Sequence, residues 1–199
     1  MRNTVVRLTS LTLKNIKNVK NGTIIMPRAD EKKFEGCKAE ILGIYGQNGS
    51  GKTAIVDALY FLQNIMTGEK LEQSILDYID TDEVNAEVNA EFKIFEDSIL
   101  YEVGYHILVS KADNVSVIER EYLNCAINKD GYRTNKNIFM DYQRTQSEVV
   151  FTPLKRLEEL VGKDKNAKMD LIVARKIAEK SNCSYIFGKD SREIFFKKN

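Results

Sequence analysis

The hydrophobic period of the chain switches between about two and about 3.6, and each switch marks a new element. From Thr4 to Leu13, Val6, Leu8, Ser10 and Thr12 alternate with Val5, Arg7, Thr9, Leu11 and Leu13, a strand composition with mixed faces. A polar connection from Lys14 to Gly22 ends in Asn21-Gly22, which predicts a turn there and a hairpin partner over Thr23–Pro27, stopped by Pro27. Residues 28–38 read as charged loop, and Ala39 to Tyr45 as a short buried strand ending at Gly46. Ile55, Ala58, Leu59, Leu62 and Ile65/Met66 then recur at i, i+3, i+4, i+7 and predict an amphipathic helix broken by Gly68. Leu71, Ile75, Leu76 and Ile79 suggest a second, short helix up to about Asp80.

The period then returns to two. Val84, Ala86, Val88, Ala90, Phe92 and Ile94 alternate with Asn85, Glu87, Asn89, Glu91 and Lys93, so one face is buried and one wet. Glu96-Asp97 is a turn candidate, and Tyr101, Val103, Tyr105, Ile107 and Val109 continue as the return strand. A third strand over 115–127, an Asp130-Gly131 turn and a fourth run over 132–140 complete a predicted antiparallel meander. Helical spacing resumes at Thr152, a plausible N-cap before Pro153, with Leu154, Leu157, Leu160 and Val161 on one face and Gly162 at the end. A second helix is expected over 169–180, followed by two strand-like pieces, Tyr185-Ile186-Phe187 and Glu193 to Phe196. The expected organisation is one lobe over 1–199: an N-terminal hairpin, loop-feeding strand and helix over 1–66, a short helix and meander over 67–150, and a helical segment with terminal strands over 151–199.

Between the predicted strand at 39–45 and the first helix lies Gly46-Gln47-Asn48-Gly49-Ser50-Gly51-Lys52-Thr53, which fits G-x-x-x-x-G-K-[ST]. Each position has mechanical work to do. The glycines let backbone N–H groups turn inward around an anion, and the helix that follows offers its positive end to the same anion. Lys52 is expected to reach β- and γ-phosphate oxygens as a point charge, and the Thr53 hydroxyl to take one position around Mg2+. Asn48 and Ser50 would line the loop, with Gly46, Gln47, Gly49, Gly51 and Ala54 completing it.

At 199 residues the chain is long enough to bury a core as one domain. With 30 Lys+Arg against 29 Asp+Glu, bulk charge gives no reason to expect a nucleic-acid partner. The basic excess after Lys155 and the acid-rich stretch from Glu69 to Asp97 read as solvated faces. Cys37, Cys125 and Cys183 are scattered, form no C-x-x-C pair and have only His106 to join them, so reduced thiols are expected and no metal or nucleophile site. No apolar run approaches the length of about 20 residues that spans a bilayer, and residues near Met1 carry no signal core. A cytoplasmic protein without membrane contact is the expectation.

Two strands precede the loop and a meander follows the first helix, an order that resembles the nucleotide-binding head of ABC-type ATPases of the SMC and RecF group. Leu11-Thr12-Leu13-Lys14-Asn15-Ile16-Lys17-Asn18-Val19 is similar to the opening of RecF-like and OLD-like ATPases, and Ile44 to Ala54 to their G-x-N-G-[SA]-G-K-[ST] loop. Ile55-Val56-Asp57-Ala58-Leu59 stands where those proteins have [IL]-[IL]-[ED]-A-[IL], and Ile118 to Leu123 resembles a strand of bacterial AAA-type ATP-binding proteins related to abortive-infection and OLD ATPases. The resemblance covers about the first 125 residues. It implies an α/β P-loop NTPase, a head lobe with an antiparallel meander beside the P-loop sheet and C-terminal helices.

It further implies ATP and Mg2+ as ligands, hydrolysis completed across a homodimer, and a nucleic acid or effector protein as the object of the switch. Lys17 matches a basic residue that lies near the nucleotide in such heads, although an exposed turn lysine reads the same way. Gln143 or Gln146 matches a glutamine that senses Mg2+ at the end of the first lobe. The pattern lacks an L-S-x-G signature and a run of four apolar residues before Asp-Glu, so no catalytic residue is assigned; Phe92 to Asp97 imitates the latter but Lys93 interrupts it. The chain looks like the front half of a longer ATPase. A nucleotide-sensing module without turnover, or a small P-loop metabolite kinase, remain as alternatives.

Overall fold

The computed structural model of the chain describes residues 4–32, 41–113, 115–144, 149–150 and 165–195. They form a mixed α/β structure around one antiparallel sheet, in the order β2-β1-β3-β4-β5-β7-β8 with β6 attached to β5. The strands are β1 (Thr4–Ile16), β2 (Val19–Ile25), β3 (Asn85–Glu96), β4 (Ile99–Ala112), β5 (Val115–Lys129), β6 (Tyr132–Arg133), β7 (Asn137–Gln143) and β8 (Val149–Val150). The helices are α1 (Lys52–Thr67), α2 (Lys165–Ser181) and α3 (Lys189–Phe195), with a 3-10 turn over Gln73–Tyr78.

Register explains the buried face. Leu11, Ala90, Tyr105, Leu123 and Met140 lie side by side across five strands, and Leu13, Val88, Ile107, Glu121 and Tyr142 form the next row. These side chains point to one side because strand residues alternate. α1 supplies Ala54, Ala58, Phe61, Leu62 and Ile65 to that face, and the C-terminal segment adds Leu171, Ala174, Ala178, Tyr185 and Ile186. The opposite face carries Lys14, Glu87, Leu108, Arg120 and Gln143 in one row, with Lys14–Glu87 and Arg120–Asp141 ion pairs at 2.7 Å.

The meander forms as the period-two pattern requires, and the N-terminal hairpin joins the same sheet because β1 pairs with both β2 and β3. Several expectations need correction. The first hairpin turns at Lys17-Asn18, not at Asn21-Gly22, which lie inside β2 opposite Lys14 and Leu13. Extending β1 to Ile16 buries that side chain to 3% exposure, which a turn four residues later would forgo. The β3–β4 turn is Asp97-Ser98, with Asp97 at φ 53°, a left-handed conformation that a short polar side chain tolerates. Tyr185-Ile186-Phe187 is a turn and Lys189–Phe195 a helix, so the two terminal strands are absent from the described residues. The apolar spacing there serves packing against the sheet from a turn. The helix expected from Thr152 to Gly162 and the last residue of the second piece, Phe196, lie outside the described residues.

The largest departure precedes the loop. Residues 41–47 pair with no strand among the described residues, and Ile41 and Tyr45 are each 94% exposed. A strand is a pairing, and no described strand takes this run as a neighbour, so the apolar run has composition but no ladder.

Gly68 closes α1 at φ 77°, and its N–H bonds the Ile65 carbonyl at 3.0 Å. A Cβ at this position would meet the Phe187 carbonyl oxygen at 2.5 Å. Gly68→Ala combines the left-handed penalty with this clash and is expected to lower stability by about 2 kcal/mol. A urea midpoint equal to wild type would show that the cap is not strained by a methyl group.

Candidate functional site

The loop residues 46–50 are solvent-exposed, and the chain enters α1 through Gly51 in the left-handed region (φ 88°, ψ 5°), with Gly49 at φ 81°. Only glycine adopts these values without strain. No side chain caps the helix, so its first N–H groups are open for another acceptor. The Lys52 ammonium folds back over the loop and donates to the carbonyls of Gly46 at 2.7 Å and Gln47 at 2.6 Å. The Ser50 N–H also donates to the Gln47 carbonyl, at 3.2 Å. Cation and amide thus converge on one point inside the turn, while Thr53 stands exposed on the first turn of α1.

The tip of the β1–β2 hairpin lies against this loop. Lys17 has φ 52°, its N–H donates to the Tyr78 carbonyl at 2.7 Å, and its ammonium forms an ion pair with Asp57 of α1 while sitting 5.3 Å from the centroid of the Tyr78 ring. Asn18 Nδ2 donates to the Gly49 carbonyl. Val19 presses on the loop's end: a Cβ at Gly51 would fall 2.7 Å from Val19 Cγ2. Sequence reasoning picked out Lys17 but passed over Asn18, Asp57 and Tyr78. Asn18 and Asp57 stand within the motif runs, yet only the fold shows that they meet.

The structure brings together Gly46 to Ala54 and Lys17, and leaves the remaining candidates elsewhere. Gln143 ends β7, four strand spacings from β1 or about 19 Å across the sheet. It lies on the face opposite α1, and its amide donates to Asp141 Oδ2 at 3.1 Å. Gln146 lies outside the described residues. Phe92 to Asp97 runs to the far end of the sheet: Glu96 pairs with Thr4, at the start of a 13-residue strand about 40 Å long whose other end carries the hairpin tip. No cluster of three or more His, Cys, Asp or Glu suited to a metal ion occurs among the described residues, and no helix among them is long and apolar enough to cross a membrane.

Two other polar groupings carry strained electrostatics. Glu121 is fully buried in the second apolar row, where its carboxylate accepts from the Tyr105 hydroxyl, the Ser184 hydroxyl, and the Tyr185 and Ile186 N–H groups at 2.8 and 3.4 Å. Burial pushes this carboxyl above its ordinary value, with the four donors pulling the other way. On the opposite face His106 stacks 4.7 Å from Tyr122 and shares a 3.2 Å contact with Glu87, while its Nδ1 is buried without a hydrogen-bond partner among the described residues. Burial lowers its pKa, against the pull of Glu87, so the ring is neutral at pH 7.

A family model described as an AAA domain matches residues 10–195. The DNA replication and repair protein RecF of Deinococcus radiodurans is 33% identical over 99 residues, which are 50% of this chain and 24% of that protein. The chain therefore spans about a quarter of the length of that relative. Among solved structures, the recombination mediator protein RecF with ATP in the RecFOR pathway aligns with 97% of this chain and 50% of its own, at 16% identity and a TM-score of 0.37.

Proposed function

We propose, because this chain belongs to the AAA domain family, that its loop from Gly46 to Thr53 binds the phosphates of ATP together with Mg2+. One observation supports this most: the Lys52 ammonium and the Ser50 N–H converge inside a turn at the uncapped start of a 16-residue helix. Their partners in the chain alone are the loop's own carbonyl oxygens, neutral acceptors that an anionic phosphate oxygen outcompetes by charge. Gly49 and Gly51 supply the positive φ values that wrap backbone around such an anion. Thr53 presents the hydroxyl that would complete the shell of Mg2+, and the ion when bound neutralises charge between phosphate oxygens.

The finer assignment is to the ABC-type, RecF-like branch of these ATPases, with the abortive-infection and OLD-related proteins as near kin. In that reading the unpaired Ile41–Tyr45 run is a strand whose parallel neighbours come from further polypeptide, hydrolysis belongs to a complete dimeric protein, and a nucleic acid or an effector protein is the object of the switch. Mg2+ dependence, dimerisation and a cytoplasmic location are parts of the same proposal. The small-kinase reading has less support, because Arg120 and Arg133 are held by Asp141 and Glu102 on the sheet.

The sequence lacks an L-S-x-G signature and a run of four apolar residues before Asp-Glu, which favours binding without turnover by this chain alone. The expected result is that the 199-residue chain binds Mg-ATP with one site per chain by calorimetry and releases phosphate no faster than buffer. Absence of binding would remove the proposal. Steady phosphate release by the isolated chain would instead require a catalytic carboxylate that the described residues do not show.

A further inference from the structure

Three consecutive residues of the β1–β2 hairpin reach the loop region by three different means. Lys17 pairs with Asp57 of α1, Asn18 donates to the carbonyl of Gly49, and Val19 fills the space beside Gly51. The hairpin is itself fixed from below: Ile16 bridges to Ile79, the Asp80 N–H donates to the Asn15 carbonyl at 2.9 Å, and the Lys17 N–H to Tyr78. A rigid tip therefore leans on an exposed loop that, among the described residues, has no strand before it. Of the three contacts, only Asn18 touches a loop peptide directly through a polar group.

We infer that Asn18 is a positioning residue for the phosphate-binding loop, setting the orientation of the Gly49–Ser50 peptide. This rests on the phosphate-binding reading above and deepens it. In a trans peptide the carbonyl and the following N–H point in opposite directions. Holding the Gly49 oxygen toward the hairpin aims the Ser50 N–H to the inside of the turn, where it meets Gln47 beside the Lys52 ammonium. Without Asn18 the plane keeps the Ser50 N–H bond to Gln47 but loses its hold on the carbonyl side, and glycine at 49 opposes rotation less than any other residue, since a Cβ there would touch nothing within 4 Å. Part of the binding free energy is then spent on ordering the loop. Lys17, by contrast, acts on α1: its ammonium is committed to Asp57 and sets where the helix start stands relative to the hairpin.

The test compares four proteins by Mg-ATP affinity and urea unfolding: wild type, Asn18→Ala, Asn21→Ala and Lys52→Ala. Asn21 lies in the same hairpin, in β2, exposed, and serves as the control for general damage to the element. Asn18→Ala is expected to bind about tenfold more weakly at an unchanged urea midpoint, with Asn21→Ala equal to wild type in both. If Lys52→Ala loses binding while Asn18→Ala keeps wild-type affinity, the positioning role is overturned and the phosphate site stands. If Asn18→Ala and Asn21→Ala weaken binding alike with matching losses of stability, the hairpin acts only as scaffold and the inference also falls. Wild-type affinity in Lys52→Ala would remove the phosphate reading itself.

Discussion

Lys52→Ala is expected to lower the affinity of the chain for Mg-ATP by between about tenfold and 150-fold, the range that one charge-assisted hydrogen-bonding group contributes. The ammonium is the only cation whose bonds converge with a loop N–H among the described residues, on the Gln47 carbonyl. Because those bonds are made to an exposed loop, their loss in the free chain is expected to change the urea midpoint by less than about 0.5 kcal/mol equivalent. Lys52→Arg should bind poorly as well, since a planar guanidinium does not occupy the place of a compact ammonium between two carbonyls 2.7 and 2.6 Å away. Titration with a fluorescent ATP analogue in Mg2+ checks both variants. An affinity within twofold of wild type for Lys52→Ala would sink the phosphate assignment.

Glu121→Ala is expected to cost about 3–5 kcal/mol of stability, the range for removing one partner from a buried charged network. The change strands four donors in the core: the hydroxyls of Tyr105 and Ser184 and the N–H groups of Tyr185 and Ile186. The Ser184 hydroxyl also accepts from the Phe187 N–H at 2.7 Å, so the turn that plugs the sheet is organised around this one carboxylate. Loss of the plug also frees the Phe187 carbonyl side of the Gly68 cap. The pH dependence has a definite sign. The folded pKa of Glu121 is raised, so in the window above the ordinary glutamate value of 4.5 the folded chain still holds a proton that the unfolded chain has released. Protonation in that window favours folding, and this group's contribution declines as pH rises through its folded value. Urea unfolding of wild type and Glu121→Gln at pH 5 and pH 7 should show a steeper loss with rising pH for wild type; parallel lines would rule out the coupling.

The legibility of the fold depends on which residues carry their own pattern. β3 alternates from Asn85 to Ile94 and β4 from Tyr101 to Ile107, and the meander they begin could be read directly. The G-x-x-x-x-G-K-[ST] run was equally plain as a pattern because its glycines and Lys-Thr pair have fixed offsets, and phosphate binding is the function proposed for it. The hairpin turn was not, since Asn21-Gly22 is the stronger local signal and the choice of Lys17-Asn18 depends on burying Ile16 and on partners far along the chain, Asp57 and Tyr78. Glu121 was hidden for a related reason. It occupies an apolar row between Ile107 and Tyr142, where composition alone places a hydrophobic residue, and its four donors come from a different strand and from the C-terminal turn. Ile41 to Tyr45 shows the converse: apolar composition specifies a strand only where a neighbour is offered.

The pairing of β1 with β3 sets the order in which the sheet can assemble. β3, β4 and β5 are joined by short turns and close locally, whereas the Thr9 hydroxyl meets the Glu91 carbonyl across 82 residues of chain. Closing a loop of that length costs about 4 kcal/mol from the length-dependent part alone, so β1 is expected to join late and to bring residues 46–53, which lie between β2 and β3 in the chain, with it. Until it does, the outer edge of the twelve-residue β3 stands unpaired, a long template for other nascent chains. Ordering of residues 46–53 against the hairpin tip and protection against self-association are therefore expected in the same late step of refolding.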